Sequence, residues 1–235
     1  MRKVHVIRFD TIRKTKTEAE EWVVTEQEYH LILDGHEVTL LHASPGMEKQ
    51  LAVGYLAGRG ITFDCEAVRV QGNTITVGAN QSPVELVQSP PQKMHSLTAG
   101  SPRIPASLLV HAASRLQKDS LTWRKTRATH SVALFQKDGT LIQLVEDVSR
   151  RSALDKSIGQ AVLDSRDLSL AFAVLSCRIT EDMVIKAANV GIPIVASRST
   201  VIEPAVTAAH NLGVTLLGYT QEDHAVAFAH PERII

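Results

Sequence analysis

From His130 onward, β-prone runs and helical apolar stripes follow one another in turn, and this alternation narrows the available folds more than any other feature of the chain. "HSVALFQ" and "TLIQLVE" flank Lys137-Asp138-Gly139, the pattern of a hairpin. Thereafter the spacing predicts a helix near 152–164, a strand at 170–176, a helix at 180–190, a strand at 192–197, a helix near 203–212 and a strand at 214–219. Gly191 and Gly213 fall where helices should end. Each helix must bury its stripe on the strands beside it, so the pattern argues for an α/β fold with a mainly parallel sheet covered by helices.

The front of the chain reads differently. In "YHLILDGHEVTLLH", residues 29–42, two β-prone runs surround Asp34-Gly35, a strong hairpin signal. A helix should follow from Ser44-Pro45, with Met47, Leu51, Ala52, Tyr55 and Leu56 on one stripe and Gly58 and Gly60 at its end. Short strands are expected at Ala67–Val70 and Thr74–Val77, joined through Gly72-Asn73. Residues 89–105 hold four prolines and read as a loop, after which Pro105 starts a helix to about Lys118. The division expected is a β-rich part with one helix over 1–104 and an α/β domain over 105–235.

With 235 residues the chain is long enough for a real core. Lys and Arg total 25, as do Asp and Glu, so no general attraction to nucleic acid or an anionic membrane is expected, and any anion site must be local. No run of about 18 apolar residues occurs and Met1-Arg2-Lys3 opens no signal peptide, so a cytoplasmic location is expected. Cys65 and Cys177 are the only cysteines, which excludes a disulfide framework and multi-cysteine metal sites. Neither GxGxxG nor GxxxxGK[ST] is present.

The segment "LIQLVEDVSRRSALDKSIGQAV", residues 141–162, places six charges between a β-prone run and a helical stripe. Ser152 followed by Asp155 reads as a helix cap with an acid in the first turn. If the strands at 141–145, 170–176 and 192–197 share a sheet and a direction, the turns after them crowd one edge. Those turns carry Glu146, Asp147, Arg150 and Arg151; then Ser176, Cys177 and Arg178; then Ser197, Arg198 and Ser199. Arginine forks beside helix N–H groups match a pyrophosphate, and the acids suit ribose hydroxyls or a base edge. Three such turns together suggest a nucleotide-like ligand. Cys177 would be a nucleophile if its thiolate were favoured, although a lone cysteine after a buried strand more often packs. His130, at the start of a strand, reads equally as a group that contacts an anion or moves a proton and as an ordinary surface histidine.

With those residues laid out, the chain resembles the FdhD/NarQ family of formate dehydrogenase accessory sulfurtransferases. "EDVSRRSALDKSIG" is similar to the family's EDVGRHNAVDKxIG, "SCRITEDMVIKAANVGIPIVASRS" to SGRxSxEMVxKAxxAGIPxLxSxS, and "HASPGMEKQLAVGYLAGRGI" to TPxDxxELxxGFLxxEGI. The resemblance implies a cytidine deaminase-like mixed sheet with helices on its faces, plus a β-rich N-terminal part. It implies a client cofactor, molybdenum bis-molybdopterin guanine dinucleotide, for which GDP or GTP would serve as a mimic. The cofactor positions it implies are Thr126, His130, Glu146, Asp147, Arg150 and Asp155, with Lys156, Ser176, Arg178, Ser197 and Ser199. Cys177 is the candidate catalytic residue, and Arg150 and Arg178 outrank Arg151 and Arg198 because the motifs supply arginine at the first two positions. Partners implied are a formate dehydrogenase or related molybdo- or tungsto-enzyme, a cysteine desulfurase and a second copy of the chain as a homodimer.

Two departures stand out. The family's sulfur-carrying CGxCG-like loop matches Ser96-Leu97-Thr98-Ala99-Gly100, which has no cysteine and so cannot form a persulfide. The family's TGGxHAA reads "TRATHSVA", keeping Thr126 and His130 but not the glycines. A catalytically degenerate nucleotide-binding or regulatory protein is therefore the alternative. A zinc deaminase is disfavoured because HxE and PCxxC are missing.

Overall fold

In the computed structural model, residues 1–78 and 102–235 are described. The central element is a six-stranded mixed sheet in the order β12-β11-β10-β9-β7-β8. Its strands are β7 (His130–Gln136), β8 (Leu141–Asp147), β9 (Ala171–Leu175), β10 (Ile194–Ser197), β11 (Thr215–Gln221) and β12 (His224–Ala229). Only β9, β10 and β11 are parallel neighbours. The expected mainly parallel sheet is thus corrected to a mixed one: the β7–β8 hairpin adds antiparallel pairs on one side and β12 folds back on the other.

Alternation along β7 sorts its side chains. Val132 and Leu134 face one layer, and Ala133 and Phe135 the other. The first layer holds α4 (Arg150–Leu163), α5 (Glu181–Asn189) and α6 (Glu203–Leu212), whose Ile158, Met183 and Ala209 are fully buried. The second holds α2 (Ala106–Asp119), with Leu109 and Leu116 buried against Phe135 and Phe172. Each of the buried Leu, Ile, Met and Phe side chains contributes about 1.5–3 kcal/mol by leaving water. Gly213 ends α6 at φ 70°, a left-handed position that glycine adopts without penalty.

The front part forms a four-stranded sheet, β4-β3-β6-β5, from β3 (Gln27–Leu33), β4 (His36–Ala43), β5 (Arg69–Gln71) and β6 (Thr74–Val77). Helix α1 (Glu48–Ala57) leaves this sheet and crosses α4 at backbone contact. A Cβ at Gly54 would lie 1.7 Å from the Asp155 carbonyl oxygen, and one at Gly159 1.9 Å from that of Gln50. Helix α4 is therefore covered by the six-stranded sheet on one side and by α1 on the other.

The remaining corrections are local. Helix α4 starts two residues before the expected boundary, and Ser149, not Ser152, is its cap, accepting from the Ser152 N–H at 3.3 Å. Ser152 sits in the first turn and donates to the His42 carbonyl at 2.6 Å. The ribbon β1 (Arg2–Asp10) and β2 (Thr15–Val23) was not expected, since its strands are largely polar and its turn uses Lys14 at φ 54° instead of glycine. Helix α3 (Leu121–Thr126) is too short to show a stripe. Most of the proline-rich stretch, including Ser96–Gly100, lies outside the described residues. No helix among those described is long and apolar enough to cross a membrane.

Candidate functional site

Strands β8, β9 and β10 run in the same direction, with β7 reversed between β8 and β9. The end of β8, the start of β7 and the turns after β9 and β10 therefore meet at one edge of the sheet. His130 pairs with Asp147, and Leu175 sits opposite both Val132 and Ser197. Hydrogen bonds continue the row past the strands. The Ser131 N–H donates to Ser176 Oγ at 2.9 Å, the Ser176 N–H to the Ser131 carbonyl at 3.0 Å, and Ser197 Oγ to the Cys177 carbonyl at 2.6 Å. The Ser199 N–H in turn donates to Ser197 Oγ at 2.9 Å.

A cavity of about 250 Å³ opens here, lined by Trp123, Arg127, His130, Ser131, Ser176 and Arg198, among others. Of the residues singled out from the sequence as cofactor positions, it gathers His130 and Ser176. Arg150, half-buried at the first turn of α4, is close enough to His130 and Cys177 to affect the charge of both. Neither Arg150 nor the exposed Arg178 has a carboxylate partner among the described residues, whereas Arg151 is tied to Asp182 at 3.0 Å. Burial first, and then the Arg150 charge, holds His130 below the usual imidazole range against the opposing pull of Asp147, so it is neutral near pH 7.

Several motif residues turn inward instead. Asp147 is fully buried and accepts from Lys156 Nζ at 2.6 Å and from the N–H groups of Ser44 and Ser149. Lys156 also donates to the Ser44 carbonyl at 2.6 Å. Asp155 lies 2.6 Å from Lys186 Nζ on α5, both buried. These two ion pairs bind α4 to its neighbours at the α1 crossing and leave no side-chain charge free for a ligand. Glu146 accepts from the N–H groups of Thr122 and Trp123, at 2.8 and 2.7 Å, and from the Thr129 hydroxyl at 3.1 Å. It thereby caps α3 and sets the cavity wall. Thr126 closes the same helix by donating to the Thr122 carbonyl at 2.9 Å.

Cys177 is 4% exposed within the apolar layer, and burial pushes its thiol up to about 11 despite the nearby Arg150 and Arg178 charges. At neutral pH it is a packed thiol and not a thiolate. Sequence reasoning missed Trp123 and Arg127 and ranked Arg198 low, yet all three line the cavity. The available signal was Arg127, which stands where the resembling motif has glycine and adopts φ 58°.

Fold and site together define a mixed α/β protein with a cationic polar cavity at the shared end of its strands. The chain belongs to the FdhD/NarQ family, whose profile matches residues 66–235. It is 30% identical to the sulfur carrier protein FdhD of Methanothermobacter thermautotrophicus, over all of this chain and 98% of that one. It is 29% identical to the sulfur carrier protein FdhD of Bacillus subtilis, over 93% of this chain and 92% of that one. The fold matches the crystal structure of a protein assigned as a formate dehydrogenase accessory protein from Desulfotalea psychrophila, with TM-score 0.82, 24% identity and coverage of 99% and 98% of the two chains.

Proposed function

We propose that this protein is a formate dehydrogenase accessory protein that holds the guanine-dinucleotide end of molybdenum bis-molybdopterin guanine dinucleotide and supports its sulfuration or delivery to the enzyme. The observation that carries the reading is the meeting of three strand ends at one edge. There, Arg150 and Arg178 have no carboxylate partner among the described residues, and the cavity at the same edge is lined by Arg127 and Arg198. Uncompensated guanidinium groups at strand ends and helix starts suit phosphate oxygens. The names carried by the relatives, sulfur carrier protein and formate dehydrogenase accessory protein, support the same reading. The client is a formate dehydrogenase or a related molybdo- or tungsto-enzyme, and the protein acts as a homodimer in the cytoplasm.

Sulfur transfer by a loop persulfide is not part of this function, because Ser96–Gly100 contains no cysteine and Cys177 is a buried thiol. Sulfur arriving from a cysteine desulfurase would have to reach the bound cofactor by another carrier. The missing loop cysteines favour a second reading, in which the same cleft serves a degenerate protein that binds a different nucleotide. The test is to purify the protein from cells that make the cofactor, denature it, and identify released pterin and nucleotide by chromatography. Near-stoichiometric molybdopterin guanine dinucleotide is expected; another nucleotide would favour the second reading, and protein free of both pterin and nucleotide would overturn both.

A further inference from the structure

Arg127 occupies a backbone conformation that an arginine adopts at a cost. Its φ of 58° and ψ of 15° lie in the left-handed region, where glycine is favoured and where the resembling motif has glycine. Its guanidinium carbon lies 4.0 Å from the centroid of the Trp123 ring, so the planar group rests on the indole face. Stacking fixes the plane while leaving the N–H edges free to meet a ligand. Both residues line the 250 Å³ cavity, and Arg198 lines it from the turn after β10. Arg198 gives one N–H to the Ala113 carbonyl at 3.1 Å, and the charge of the exposed Glu222 reaches it without an ion pair among the described residues. No carboxylate among the described residues lines the cavity. Ser176 Oγ, which accepts from the Ser131 N–H, has no acceptor for its own proton among the described residues. Two cations, one free hydroxyl and no lining acid form a receptor for an oxoanion.

We infer that this open-mouthed cavity is a phosphate subsite and that Arg127 is its specificity-determining residue. The inference deepens the nucleotide-binding reading: one phosphate enters between Arg127 and Arg198, and Arg150, beside His130 but outside the cavity, meets the remainder of the ligand. The volume suits a phosphate with a small attached group, since cavities that enclose drug-sized ligands run from about 300 to 1,000 Å³. The ligand class is therefore a phosphate-bearing small molecule, held by its anionic end.

The test uses the full chain with Trp22→Phe, which leaves Trp123 as the sole tryptophan, titrated with inorganic pyrophosphate and separately with GDP while indole emission is followed. The expected result is a saturable emission change with both probes. Arg127→Gly should weaken both at least tenfold and Arg127→Lys should weaken them less. Glycine accepts the left-handed backbone, so the ligand-free Arg127→Gly protein should melt no lower than its parent. GDP and pyrophosphate binding unchanged in Arg127→Gly would overturn the inference and leave the nucleotide reading standing. Arg127-dependent pyrophosphate binding without GDP binding would uphold the inference and remove the nucleotide reading, and binding of neither probe would remove both.

Discussion

Arg150 and Arg151 are adjacent in sequence, but their surroundings assign them different work. Arg151 is held by Asp182, whereas Arg150 is half-buried beside His130 with no carboxylate partner among the described residues. Replacing Arg150 or Arg178 with alanine should weaken nucleotide binding by about 1.5–3 kcal/mol through loss of a charge-assisted bond, while Arg151→Ala leaves it nearly unchanged. Calorimetric titration of the three variants checks this, and equal affinities would place the phosphates elsewhere. His130 gives a pH signature. Its folded-state pKa is depressed, so the neutral ring's contribution to stability is present above the ordinary value of about 6.5 and is lost as pH falls through the depressed one. A bound anion favours the imidazolium, so ligand affinity should rise on acidification by about 1 kcal/mol, about fivefold, and His130→Gln should flatten that rise. A profile identical in wild type and His130→Gln would show that the ring does not face the ligand. At this scale the sequence was a partial guide. Asp155 and Lys156 belong to the resembling motif as much as Arg150 does, and only burial separates an interior ion pair from a ligand contact.

Helix α4 explains why so long a motif reads as a site and serves as a joint. Its buried Asp155 and Lys156 reach Lys186 and Asp147, and its Gly159 lets α1 approach to backbone contact opposite Gly54. Gly54→Ala and Gly159→Ala should each force the helices apart and destabilise the fold by about 1–3 kcal/mol or more, because the new methyl meets a carbonyl oxygen and not a flexible side chain. Urea unfolding measures this; a loss below about 0.5 kcal/mol in both variants would mean that the two helices do not cross at backbone contact. The strands and helices after residue 130 were legible because period and glycine stops agree, as at Glu203–Leu212 before Gly213. The β1–β2 ribbon and β12 were not legible, since their turns place Lys14 and Glu222 at positive φ without glycine and their strands have little buried face.

Across the whole molecule, two sheets meet through α1 and α4, and the buried Asp147–Lys156 pair sits where that junction reaches the edge carrying the cavity. The edge itself was foreseeable: strands at 141–145, 170–176 and 192–197 do share a sheet and a direction, so their turns meet. The cavity wall supplied by α3 was hidden, because Trp123 and Arg127 are brought in by the capping contact of Glu146, which no sequence period reports. The central claim is that this edge binds a guanine nucleotide, and melting of the wild-type protein with GDP or GTP tests it most directly. At about a hundred times the dissociation constant, the ligand should stabilise the fold by about 2.7 kcal/mol. Arg150→Ala/Arg178→Ala should lose most of that gain at the same ligand concentration. A wild-type melting curve unmoved by millimolar GDP and GTP would contradict the account.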